Sequence, residues 1–126
     1  MKILSAHRAP EKVMTYAQNA HLNGIEVLIG MAGGSAALPG VLASWTSLPV
    51  IGVPLASSDL KGVDALYSIV QMPPGVPVAC VSVGSWGARN AAYLAARILG
   101  LKYSSVRETY EMQRSQQAQS LHSPSS

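Results

Sequence analysis

The chain has 126 residues, which suits one hydrophobic core and is too short for two ordinary domains. Hydrophobic residues make up 48% of it and charged residues only 12%, too few charges to cover a lone small globule, so some surface is expected to be buried between subunits. The net charge is +3 and the nine Lys and Arg are scattered, which leaves no nucleic-acid footprint.

The N-terminal MKILSAHR lacks the apolar core of a signal peptide, and no apolar run approaches the roughly 20 residues of a membrane span. Cys80 is the only cysteine, so an internal disulfide and a cysteine-based metal cluster are excluded. A cytoplasmic protein is expected, without a membrane or nucleic-acid partner.

MKIL reads as the tail of a β-type run. Pro10 then stands where a first helical turn tolerates its missing N–H. Val13, Ala17 and Ala20 recur at helical spacing and Gly24 offers a stop, so a helix is predicted from Pro10 to about Leu22. IEVLIG is an apolar, β-branched strand followed by MAGGSAALPG, with a helix predicted from about Ala36 to Trp45. PVIGVPL is a second clear strand, LKGVDALYSIVQM a helix, PVACVSVG a third strand and ARNAAYLAARIL another helix.

Continuous apolar strands alternating with helices imply a parallel sheet covered on both faces. The fold class is therefore α/β, a three-layer parallel sheet of flavodoxin- or Rossmann-like type with an extra C-terminal helix. After Leu101 the sequence turns polar. Ser105 with Glu108 three residues on fits a capping box, so a helix is predicted from Val106 to about Gln119, with a disordered SLHSPSS tail. Its apolar stripe, Val106, Tyr110 and Gln113, is too thin for stability alone, so it is expected to lie on a neighbouring surface.

Ligands of open α/β sheets bind beyond the C-terminal ends of the strands, which directs attention to four loops. In SAHRAP, His7 and Arg8 carry two readings. They are a polar turn, or else an imidazole that exchanges protons near neutral pH beside a guanidinium that holds a phosphate with paired hydrogen bonds. In GMAGGSAALPG, Gly33 and Gly34 let backbone N–H groups face an anion, but a tight strand-to-helix turn wants the same glycines. The spacing is neither that of a dinucleotide fingerprint nor that of a P-loop.

Ser57, Ser58 and Asp59 read as caps of the next helix. In GSWGARN, helix-start geometry explains the glycines and Asn90 as well as a site would. His21 falls late in the first helix, near the negative end of its dipole, and His122 in the tail. Cys80 reads as a small core residue of a buried strand. Asp64 has no second carboxylate at useful spacing. No metal site and no serine nucleophile elbow are visible.

Taken together, SAHRAP, AGGSAALPG, LPVIGVP, GVDALYSIVQMPPGVPVA and GSWGARNA closely resemble the N5-carboxyaminoimidazole ribonucleotide mutase family of de novo purine synthesis, related to the aminoimidazole ribonucleotide carboxylases. The resemblance covers about residues 3 to 120. It implies that His7 is the general acid and base, moving the C4 proton while the substrate's N-carboxylate leaves as carbon dioxide and is re-added at C4, a double duty that suits a group titrating near neutrality.

It further implies that Arg8 holds the ribose phosphate and that Ser5 and Ala6 lie beside the carboxylate. Ala32, Gly33 and Gly34 would supply backbone donors, and Leu38 would wall the site. No metal or organic cofactor is implied. The partners implied are a small-molecule nucleotide substrate and further copies of the chain in a homo-octamer. The chain then divides into a catalytic unit over 1–103, an intersubunit helix over 104–119 and a tail over 120–126.

Departures from the pattern carry expectations of their own. The family begins with a further strand and a G-S-x-S-D loop that touches the nucleotide, and here the chain starts at the tail of the second strand. Absence of that central strand is expected to open two rows of backbone groups, at about 1–3 kcal/mol per buried unsatisfied group, and to impair folding and turnover. Ala37 stands where the glycine loop usually has a histidine. Ala9, before the helix proline, cannot cap, a loss of about 1 kcal/mol.

Overall fold

The structure is a computed structural model that describes residues 1–120. Three parallel strands form one sheet in the order β1-β2-β3: β1 is Leu28–Gly33, β2 is Val50–Leu55 and β3 is Ala79–Cys80. The β1–β2 ladder runs in register from Leu28 opposite Val50 to Gly33 opposite Leu55, and β2 continues to β3 with Ile51 opposite Ala79. Parallel neighbours need crossover connections, and helices supply them.

Alternation along β2 divides the core, because successive side chains of a strand point to opposite faces. Val50 packs with Val13, Ala17 and Ala20 of the N-terminal region and with Leu28 and Leu42. Ile51 and Val53 pack instead with Ala91 of α4, which spans Gly84–Leu99. On the first face lie α1 (Pro10–Gln18), α2 (Leu38–Ser44) and α3 (Val63–Val70). Gly52 faces α3, where an added Cβ would come within 2.4 Å of Ile69 Cγ2. The expected three layers are therefore present, with the middle strand nearly solvent-free.

Several boundaries differ from expectation. MKIL is not a strand: Met1–Leu4 joins no ladder, Leu4 packs instead on the core cluster around Val13, and Lys2 Nζ lies 5.6 Å from the centroid of the Tyr16 ring. Helix α1 stops at Gln18, after which His21–Asn23 forms a separate 3-10 turn that Gly24 ends at φ 73°, so His21 lies outside α1. Ala36, at φ 39°, belongs to the turn before α2. Gly62 at φ 90° delays α3 to Val63, so Ser57, Ser58 and Asp59 lie too far upstream to cap it.

The third strand is only two residues long, since Pro77 has no N–H to offer a ladder and Gly84, at φ 71°, turns the chain into α4. Cys80 is consequently half-buried rather than core, and partial burial raises its thiol pKa.

The last helix, α5, spans Ser104–Ser120. It begins one residue before Ser105, which is therefore inside the helix rather than its cap. Val106 and Tyr110 are half-buried on the chain's own α4, with the Tyr93 and Tyr110 rings 6.0 Å apart. Gln113 and Gln117 each donate from Nε2 to Tyr93 Oη at 3.1 Å. Polar bonding thus supplements the thin apolar stripe. His122 and the tail beyond Ser120 lie outside the described residues.

Candidate functional site

The segment before α1 is a tight turn built from its own backbone. Ala9 N–H donates to Ser5 O at 2.9 Å and Arg8 N–H to Ser5 Oγ at 3.3 Å, folding Ser5–Ala9 over the end of β1. Ala9 makes no side-chain cap to α1, as its methyl group dictates.

Opposite lies the loop that leaves β1. Gly34 at φ 59° and Ala36 at φ 39° turn it sharply, and Ala36 N–H closes it onto Gly33 O at 3.1 Å. Glycine is at home in that left-handed conformation, whereas Ala36 pays for it with local strain.

The two turns enclose a pocket of about 190 Å³. Ser5, Ala6 and His7 form one wall, and Ala32, Gly33 and Leu38 another. Arg8 and Gly34 stand beside the pocket without lining it. His7 and Arg8 are both solvent-exposed, so the imidazole sits at the open mouth of the pocket. The volume suits the reacting end of a ligand rather than a whole nucleotide, since complete small-molecule sites run to about 300 Å³ and more.

Further residues of the same two segments complete the pocket. Leu4 and Met31 supply apolar wall, and Ala36 and Ala37 close the helix side. Alternation along β1 could have flagged Met31, which stands between Gly30 and Ala32. Ser57, read from the sequence as a cap, instead abuts the glycine loop without lining the pocket: a Cβ on Gly33 would fall 1.7 Å from its Oγ. No spacing in the sequence links residue 33 to residue 57.

Ser58 instead donates to Asp64 Oδ2 at 2.6 Å and accepts from Leu60 N–H at 3.3 Å. The Ser58 hydrogen bond lowers the Asp64 pKa, so this carboxylate stays charged as a loop anchor. Asn90 Nδ2 reaches Ser82 Oγ at 3.5 Å, and neither lines the pocket. Among the described residues no group of three or more His, Cys, Asp or Glu could hold a metal ion, and no helix is long and apolar enough to cross a membrane.

An open parallel α/β sheet with an imidazole and a glycine turn at the carboxyl end of its strands defines the class of ligand-binding α/β proteins that place their chemistry beyond the strand ends. The sequence narrows the class: the chain belongs to the AIR carboxylase family, whose model matches residues 1–120.

It is 61% identical over 105 residues to the N5-carboxyaminoimidazole ribonucleotide mutase of Saccharolobus solfataricus, covering 83% of this chain and 65% of that protein. The mutase of Pyrococcus abyssi is 57% identical over 108 residues, 86% of this chain and 61% of its own length. That of Pseudomonas aeruginosa is 50% identical over 121 residues, 96% of this chain and 74% of its own length. The chain therefore spans less than two thirds of the length of the first two relatives.

Proposed function

We propose that this chain serves de novo purine synthesis by converting N5-carboxyaminoimidazole ribonucleotide to 4-carboxy-5-aminoimidazole ribonucleotide. The observation that carries the reading is His7 at the mouth of a pocket shared by the SAHR turn and the glycine loop, in a chain similar to proteins named as that mutase. The N–carboxylate bond breaks to release carbon dioxide, with His7 as the acid that protonates the nitrogen. Carbon dioxide, held against Leu38 and the Ala32–Gly34 backbone, then forms a bond to C4, and neutral His7 removes the C4 proton. The proton taken in the second half replaces the one given in the first, so no cofactor is consumed.

In this reading Arg8, exposed beside the pocket, swings its guanidinium onto the ribose phosphate, while Ser5 and Ala6 flank the carboxylate. The protein works in the cytoplasm as a homo-oligomer, an octamer in the fullest form of the reading. Support comes from α3, which exposes Val63, Tyr67 and Val70 along one helical stripe, with Leu60 exposed in the turn before it.

A second reading, a non-catalytic subunit of such an assembly, draws on Ala37. It lines the pocket where the resemblance leads one to expect a histidine, and so leaves that wall without a polar group. A direct carboxylase is the third. Purified protein should be offered the N-carboxylated substrate and, separately, the uncarboxylated nucleotide with bicarbonate. Product from the first supports the mutase. Product from the second alone shows a carboxylase, and none from either favours the non-catalytic subunit.

A further inference from the structure

A second cleft, of about 370 Å³, lies between α4 and α5 and shares no residue with the His7 pocket. Helical spacing explains how it is built. Asn90, Tyr93 and Arg97 lie three and four residues apart on one face of α4, and Tyr110, Arg114 and Gln117 do the same on α5. When the helices pack through the Tyr93 and Tyr110 rings, both arginines are brought to the cleft between them.

The balance of charge is one-sided. Arg97 and Arg114 line the cleft, no Asp or Glu does, and neither guanidinium has an ion-pair partner among the described residues. Tyr93 Oη already accepts from two glutamine amides, Gln113 and Gln117, so both of its lone pairs are engaged. Its remaining hydrogen-bonding capacity is its own O–H, which has no acceptor within the described residues. Two fixed amides, two unpaired guanidiniums and one orphan hydroxyl proton therefore present a donor-rich site without an internal acceptor.

We propose that the α4–α5 cleft binds a phosphomonoester, with Arg97 and Arg114 on the phosphate and the Tyr93 hydroxyl as a third donor. A phosphate dianion has the charge and lone pairs to satisfy all three, and guanidinium is the side chain best shaped for it. The remaining volume holds the attached sugar against the tyrosine rings. Because the two helices each contribute an arginine, the ligand also ties α5 to the body of the fold.

Calorimetric titration of the chain carrying Arg8→Gln, which removes the guanidinium beside the His7 pocket, tests the proposal with inorganic phosphate, ribose 5-phosphate, AMP and adenosine. Saturable binding of ribose 5-phosphate or AMP that is tighter than inorganic phosphate is expected, with adenosine silent. Adding Arg97→Gln with Arg114→Gln should weaken that binding by about tenfold or more, and Tyr93→Phe by a smaller factor. Both arginines are exposed, so the variants should keep the parent circular dichroism spectrum. Binding that survives the double arginine replacement in a folded protein, or no saturable binding of any phosphorylated probe, would overturn the assignment. Neither outcome bears on the mutase reading, which rests on other residues.

Discussion

Gly33 and Ser57 are so close that residue 33 has no room for a side chain: an added Cβ would lie 1.7 Å from Ser57 Oγ and 2.8 Å from Ser57 Cβ. Rotating the serine hydroxyl relieves the first clash and not the second. Gly33→Ala should therefore force the β1 and β2 exits apart, destabilising the fold by about 1–3 kcal/mol. A thermal melt would show this, and Gly33→Ala combined with Ser57→Gly should recover most of the loss. A single alanine variant that melts with the parent would mean that the contact yields freely.

His7 is exposed and makes no side-chain hydrogen bond within the described residues. His7→Asn should leave the melting temperature within a degree or two while reducing turnover by at least about 10²-fold, with nucleotide binding still measurable. Retained activity in this variant would remove the imidazole from the mechanism.

Ala37 makes its own test. The residue is half-buried against the pocket, with an ordinary helical φ of −68° that histidine also adopts. Ala37→His should raise turnover if the missing polar group limits a working enzyme. Should the parent be inactive and the variant equally so, the non-catalytic reading gains.

Docking of α5 rests on few contacts, chiefly the Tyr93–Tyr110 pair and the two glutamine bonds to Tyr93 Oη. Tyr110→Ala should cost about 1 kcal/mol of aromatic contact and release the helix. Because its isolated sequence is a marginal helix, amide exchange over 104–120 should accelerate while β2 stays protected. Equal protection in the variant would show that the rings contribute little.

Stability depends on pH through the Glu26–Lys102 ion pair, which ties the segment just before β1 to the turn just after α4. The Lys102 hydrogen bond, helped by Tyr103, holds Glu26 below its usual 4.5. Lys102 is raised above its usual 10.5 mainly by the same bond to Glu26. Glu26 thus contributes stability above about its usual value and loses it as pH falls through the lowered one. Lys102 contributes below its usual value and loses it as pH rises through the raised one. The melting difference between the parent and Glu26→Gln should be present at neutral pH, shrink in acid and shrink with added salt, since both groups face solvent. A difference that persists in acid would contradict the assignment.

The alternating strands and helices were legible because burial on both faces demands continuous apolar strands, and IEVLIG and PVIGVPL satisfy that demand locally. The family and the two turns of the site were legible for a related reason, since short motifs such as SAHRAP and AGGSAALPG carry their chemistry in contiguous residues. Element ends were not. Gly62 and Gly84 adopt positive φ only where the chain must turn onto the sheet, so α3 starts late and β3 is short. Met1–Leu4 has the composition of a strand, yet a strand exists only with a ladder partner, and the structure seats Leu4 in the core around Val13 instead. The convergence of the His7 turn with Met31 and Ala37, the contact of Gly33 with Ser57, and the pairing of Arg97 with Arg114 across two helices all join residues far apart in sequence. Such distances are set by packing of whole elements, which local pattern constrains only in sum, and tertiary structure alone decided them.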